Sequence, residues 1–186
     1  SSSNVALARR RAAAARFLRE AQRMATLRPH PNVVQFIGIV LQPTSIVTRY
    51  YQRGSLERVL HDNSIDFDHS DQLLWLRGVA LGLSHLHCEG VVHRDVAARN
   101  VLLDESNHAL ITDFGAAKRV LADGGGDSSN GAAMYTRSTV GPVRWLAPES
   151  LADATCYSQL SDVYMYGGVV AEVMTRRVPW ATGVDE

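Results

Sequence analysis

The sequence predicts an α+β fold, poor in strands and rich in helix, on three observations. Two apolar, β-branched runs, Val33 to Leu41 and Ser45 to Tyr50, flank Gln42-Pro43-Thr44 and read as a hairpin. From about Asp71 to Cys88, Leu73, Leu76, Ala80, Leu83 and Leu86 recur at helical spacing, and Gly90 suits the stop. A second apolar helix is predicted from about Ser161 to Met174.

The remaining elements follow in order. Residues 1–4 are small and polar and are expected to fray. Val5 to about Leu27 is built from Ala, Arg, Leu and Glu, all good helix formers. Phe17, Ala21, Met24 and Leu27 give that helix one buried face, and Pro29 and Pro31 end it. Arg9, Arg10 and Arg11 read as a solvated helix face rather than a nucleic-acid patch. Gln52-Arg53-Gly54 is a connector; Ser55 caps a short helix through Leu60, with Glu57 favourable in its first turn. His61 to Asp68 is a polar loop. Val91-Val92, Val101 to Leu103 and Ala109 to Thr112 are short strand-like segments with polar residues between them. Asp123 to Ala133 is rich in Gly, Ser, Asn and Asp and is predicted mobile. Gly124-Gly125-Gly126 neither follows a strand nor opens a helix, which excludes a phosphate-binding loop there.

A chain of 186 residues fits one domain, or an incomplete piece of a larger one. Its 19 basic and 19 acidic residues cancel, so nothing global draws it to nucleic acid or an anionic membrane. Cys88 and Cys156 follow no paired pattern and read as reduced thiols of an intracellular protein. There is no signal peptide and no apolar run of about 18 residues, so no membrane segment is expected in this chain. A cytoplasmic setting is expected, alone or within a larger, membrane-anchored protein.

The chemistry-bearing stretch is His93-Arg94-Asp95-Val96-Ala97-Ala98-Arg99-Asn100. It sets a carboxylate and an amide five residues apart, with arginines beside them. Asp113-Phe114-Gly115 begins thirteen residues later, and Ala147-Pro148-Glu149 and Ser161-Asp162-Val163 follow. These motifs, in this order, resemble the protein kinase family, and the resemblance runs from about Phe17 to Trp180. It implies a two-lobed kinase-like fold, incomplete at both ends. Residues 1–51 would be a partial N-lobe with helix C, two strands and the hinge. Residues 52–186 would be a partial, mostly helical C-lobe.

The resemblance also implies ATP and Mg²⁺ as cofactors and a protein as substrate. Asp95 would be the catalytic base toward the substrate hydroxyl, with Arg99 beside it. Asn100 and Asp113 would hold magnesium. Glu20, in Phe17-Leu18-Arg19-Glu20-Ala21-Gln22, resembles the helix-C glutamate. Met24, Phe36, His93 and Phe114 would stack as a spine between the lobes. Thr48 would be the gatekeeper, the backbone of Arg49 and Tyr51 would meet adenine, Gly54 would keep the pocket rim open, and Leu102 would form its floor. Tyr135 is the first candidate for activation-loop phosphorylation, with Thr136, Ser138 and Thr139 behind it; Arg94 and Lys118 would receive the phosphate. His85, His87, Cys88 and His93 fit no standard zinc spacing.

Ala97 stands where serine/threonine kinases usually carry a lysine, and Arg99 matches the tyrosine-kinase pattern Ala-Ala-Arg-Asn. Pro142 to Ser150 also looks tyrosine-kinase-like, although Gly141 replaces a frequent aromatic. The resemblance therefore leans toward tyrosine as the acceptor, with a Ser/Thr kinase of the tyrosine-kinase-like group as the alternative. The family's Gly-rich loop and third-strand lysine do not occur in these 186 residues, and Lys118, the one lysine, follows Asp113. The arginine that normally pairs with Glu149 is also absent. A truncated active kinase is favoured over a pseudokinase acting as a binding module, because Asp95, Asn100 and Asp113 are all kept. The 186-residue chain itself is expected to be inactive or nearly so, with exposed apolar surface.

Overall fold

The computed structural model describes residues 17–18, 21–22, 24–113, 118–119, 144–152 and 156–180. Residues 17–18, 21–22 and 24–26 are helical. Ala21 and Met24 are buried and Leu27 packs on the core, as the spacing predicts. Strands β1 (Phe36–Leu41) and β2 (Thr44–Thr48) form the antiparallel hairpin, with Leu41 opposite Thr44. Both strands are shorter than predicted. Val33 instead bridges Ile111, and the Val34 amide donates to Ile111 O at 2.9 Å. The β-branched residues ahead of β1 are thus used to dock the chain onto a second layer rather than to lengthen the hairpin.

That layer begins with α1 (Leu56–His61), capped by Ser55, whose Oγ accepts from the Arg58 amide; it runs one residue past the predicted end. Leu56, Val59 and Leu60 are buried. Helix α2 (His69–Cys88) starts two residues before the predicted position. Asp68 is its N-cap, and Asp71, read from sequence as the start, is the third residue of a reciprocal capping box. Its buried face is Trp75, Leu76, Val79, Leu83 and Leu86. The predicted stripe is corrected at two positions: Leu73 is 54% exposed and Ala80 also faces solvent. The helix turns its Trp75 side inward because Gly78 and Gly82 on that side admit other backbone. Asn32 O accepts from the Ile111 amide at 2.9 Å, and Asn32 Nδ2 donates to Ala109 O at 2.9 Å. A Cβ on Gly82 would stand 2.4 Å from Asn32 O, backbone that these bonds hold in place. Gly82→Ala is therefore expected to destabilise the chain by about 1–3 kcal/mol, despite alanine's better helix propensity. Chemical unfolding checks this; an unchanged or raised stability would contradict the packing described.

Strand β3 (Val91–Val92) pairs antiparallel with β6 (Lys118–Arg119), and β4 (Val101–Leu103) with β5 (Ala109–Ile111). A 3₁₀ turn, Ala98–Asn100, feeds directly into β4. Helix α3 (Pro148–Ala152) is followed by α4 (Gln159–Thr175), which begins two residues before the predicted Ser161. Ser158 is the cap and Ser161 closes a second capping box. Helices α2 and α4 pack across the core through Trp75, Val79, Met165, Val169 and Val173. Tyr166 Oη donates to Leu76 O at 3.0 Å, and Gln72 Nε2 to Val173 O at 2.9 Å. Arg176, in a left-handed C-cap, donates to Leu60 O and Asp62 O, both at 2.9 Å, and so ties the end of α4 to the end of α1. Ile37 and Leu41 on the hairpin and Leu160 and Val163 on α4 are exposed, in line with the expected apolar surface. No helix among the described residues is long and apolar enough to cross a membrane.

Candidate active site

Strand β3 delivers the chain into the loop 93–97, and the 3₁₀ turn returns it to β4. Between them the backbone is strained: Arg94 has φ +72°, a left-handed conformation that a side chain other than glycine rarely adopts. What holds it is a buried acid from α4. Asp162, with no exposed surface, accepts from the His93 and Arg94 amides and from His87 Nε2, each at 2.8 Å. His93 is fully buried. Its Nε2 donates to Thr112 O at 2.9 Å and its Nδ1 accepts from the Asp95 amide at 3.3 Å, which selects the Nε2–H tautomer.

The turn then brings three predicted residues together. Asp95 Oδ1 pairs with Arg99 Nη2, and Oδ2 accepts from Asn100 Nδ2 at 2.8 Å. Asn100 Nδ2 also donates to Asp95 O at 2.8 Å, so both its hydrogens are committed and its Oδ1 is left as the donor atom for a cation. The Thr112 amide donates to Asn100 O at 3.0 Å. Thr112, the residue before Asp113, is thereby fixed on both sides. Asp113 is exposed and has φ +62°, a second left-handed non-glycine residue; such strain costs about 1–3 kcal/mol and persists only where the surroundings impose it. An amide oxygen and a carboxylate are hard oxygen donors of the kind Mg²⁺ takes.

The predicted hinge residues also converge. Thr48 ends β2 opposite Phe36. The Arg49 amide donates to Gln35 O at 3.2 Å, which leaves its carbonyl as the group able to meet a ligand. The Tyr51 ring is buried against Val34 and Leu110, with Leu102 packed on the same cluster. Gly54, at φ +75°, donates to Tyr51 O at 3.1 Å and accepts from the Leu103 amide at 3.0 Å. A Cβ there would meet nothing closer than 3.6 Å, so the glycine is required by backbone angle rather than by space.

Other candidates are placed differently. The Arg94 guanidinium lies 4.2 Å above the Tyr157 ring. Lys118 is placed through its backbone pairing with Val92. Met24 is buried and Phe36 packs against the same core. His85 Nε2 is 2.9 Å from Arg28 O and its ring stacks on His30, while His87 is engaged by Asp162, so the nearby histidines serve separate contacts. Glu20, Phe114, Tyr135, Thr136, Ser138 and Thr139 lie outside the described residues.

Sequence reasoning did not single out three buried residues, two of which, Asp162 and Trp145, touch the loop and its turn. Asp162 was visible only as part of a motif. Trp145 lies with its ring 5.2 Å from the Arg99 guanidinium carbon. Glu172, a lone acid in an apolar helix, is 1% exposed and meets His61 Nε2 at 3.1 Å. Burial pushes its carboxyl above the usual carboxylate range, and His61 pulls the other way.

The sequence matches the family model described as protein tyrosine and serine/threonine kinase over residues 5–184. Ephrin type-A receptor 5 of Gallus gallus is 40% identical over 161 residues, covering 86% of this chain and 15% of the receptor. The serine/threonine-protein kinase CTR1 of Arabidopsis thaliana is 36% identical over 170 residues, 88% of this chain and 19% of that protein. The dual specificity protein kinase pyk3 of Dictyostelium discoideum is 36% identical over 156 residues, 84% of this chain and 11% of that protein. The chain thus spans less than a fifth of the length of each of these relatives. With the motif order, the loop geometry and a match over nearly its whole length in agreement, the chain belongs to the protein tyrosine and serine/threonine kinase family.

Proposed function

We propose that this chain is the core of a kinase domain that transfers the γ-phosphate of ATP to a protein hydroxyl, with tyrosine as the preferred acceptor. The observation that carries the reading is the Asp95–Arg99–Asn100 constellation, to which the residue before Asp113, Thr112, is hydrogen-bonded. In this reading residues 1–51 belong to the smaller lobe and 52–186 to the larger. Asp95 orients the acceptor hydroxyl and takes its proton. Arg99 and Asn100 hold the carboxylate in one rotamer, so no reorganisation is needed as charge develops. Asn100 Oδ1 and Asp113 would hold magnesium, which neutralises phosphate charge when bound. The Arg49 carbonyl and the Tyr51 backbone would meet the adenine, with Thr48 behind it, Leu102 beneath and Gly54 at the rim.

Tyrosine is favoured by the small, fully buried Ala97, where a lysine would be needed for the Ser/Thr pattern, and by Arg99 reaching Asp95 from the other side. The relatives include both classes, so the acceptor is tested directly. In the protein as its full transcript encodes it, matched peptides differing only in Tyr, Ser or Thr at one position should give phosphotyrosine as the main product. Phosphoserine or phosphothreonine as the main product would overturn the tyrosine reading and leave the kinase reading in place.

A further inference from the structure

Among the described residues, two buried side-chain atoms lack a hydrogen-bond partner, Trp145 Nε1 and Glu172 Oε2. The indole is seated on α4: a Cβ on Gly168 would stand 2.9 Å from Trp145 Cδ1. Gly168 and Glu172 are one helical turn apart and share a face. The indole N–H comes near enough to favour the ionised carboxylate, although no hydrogen bond forms. The ring also carries the Arg99 guanidinium, which is paired with Asp95. The residues therefore form one physical series: His61, Glu172, Trp145, Arg99, Asp95.

We infer that Trp145 is a positioning residue for Asp95, acting through Arg99, and that the buried His61–Glu172 pair sets its position according to pH. The chemistry is that of donor and acceptor inventories. An indole N–H can only donate, and an ionised carboxylate can only accept. Ionised Glu172 meets His61 through Oε1 and leaves Oε2 as an open acceptor toward which the unpartnered indole N–H is drawn. Protonated Glu172 presents a hydroxyl to a donor, so the indole N–H no longer has an acceptor within reach on α4 and the ring settles elsewhere. Because the ring underlies Arg99, its displacement moves the guanidinium that holds the base. The inference rests on the reading of Asp95 as that base.

The charges facing the pair are few. On α1, Glu57 opposes ionisation and His61 favours it. At the end of α4, Arg176 donates to the Leu60 and Asp62 carbonyls rather than to the carboxylate. Asp62 itself holds the Ser64 amide and hydroxyl. From α2 the group facing this part of α4 is Gln72, which is uncharged. Glu172 takes up a proton more readily folded than unfolded. Its contribution to stability is therefore present below the ordinary carboxylate pKa and lost as pH rises through the raised folded value.

The test uses ¹⁵N NMR of the 186-residue chain and needs no phosphotransfer, so its outcome is separate from that of the kinase reading. Of three tryptophan indoles, Trp145 is assigned by Trp145→Phe, and the Arg99 side chain by Arg99→Lys. Over about pH 4 to 8 the Trp145 Nε1–H resonance should shift in one step with a midpoint above the usual carboxylate range, and the Arg99 Nε–H should shift at the same midpoint. Glu172→Gln should abolish both shifts. His61→Gln, at the more exposed end of the pair and so the safer variant for folding, should raise the midpoint. A flat Trp145 resonance, or one that shifts unchanged in His61→Gln, would overturn the proposal. A titrating Trp145 with a silent Arg99 would overturn its positioning role.

Discussion

In the protein encoded by the full transcript, Asp95→Asn is expected to lower kcat by ~10²–10⁴-fold while leaving KM for ATP nearly unchanged. The substitution keeps the shape and one acceptor oxygen, so Asn100 Nδ2 retains a partner. What it removes is the charge that orients the substrate hydroxyl and takes its proton. The accompanying loss of the Arg99 pair costs little stability, because both side chains are about a third exposed (28% and 30%) and such pairs are worth about 0.2–1 kcal/mol. A catalytic role predicts this separation: activity falls by orders of magnitude and the unfolding midpoint barely moves. Steady-state kinetics and urea unfolding on the same preparation check it. Activity within tenfold of wild type would remove Asp95 from the base role.

Asp162→Asn is expected to do the reverse, with a loss of about 3–5 kcal/mol in stability. Asp162 has no exposed surface and accepts three donors, two of them amides of the strained turn at Arg94. An asparagine turns one acceptor into a donor and sets it against an N–H. Each buried donor left unsatisfied costs about 1–3 kcal/mol, against a total of about 5–15 kcal/mol for a domain. Arg94 is then free to leave φ +72°. Chemical unfolding measures the loss, and hydrogen exchange at the His93 and Arg94 amides locates it. A change below about 1 kcal/mol would mean that the turn is held by something other than α4.

The hairpin, α1 and the short strands were legible because turn residues and β-branched runs act locally. The two long helices were each begun too late for one reason. Asp71 and Ser161 look like caps, yet each is the third residue of a capping box whose cap lies three positions earlier. Neither pair is the familiar Ser/Thr with Glu, so the signal was easy to miss. The stripe of α2 was misplaced at Leu73 and Ala80 because apolar residues occupy several faces of that helix. What orients it is the room left by Gly78 and Gly82 for Asn32, a contact across about fifty residues that no periodicity records. At the site, Asp95, Arg99 and Asn100 lie within six residues and were read as a unit. Asp162, Trp145 and Glu172 act from the distant α4 and the segment before α3, and nothing near them in sequence names their partners. A single acid among Val170, Ala171, Val173 and Met174 was the one clue to Glu172.

In the reading proposed above, this fold carries phosphoryl transfer rather than nucleotide binding alone. The direct measurement is transfer of labelled γ-phosphate from Mg²⁺-ATP to a peptide by the protein encoded by the full transcript, with Asp95→Asn in parallel. Labelled peptide is expected from the wild type and, with Asp95→Asn, a yield lower by at least about a hundredfold. ATP binding without transfer, or transfer that survives Asp95→Asn, would contradict that reading.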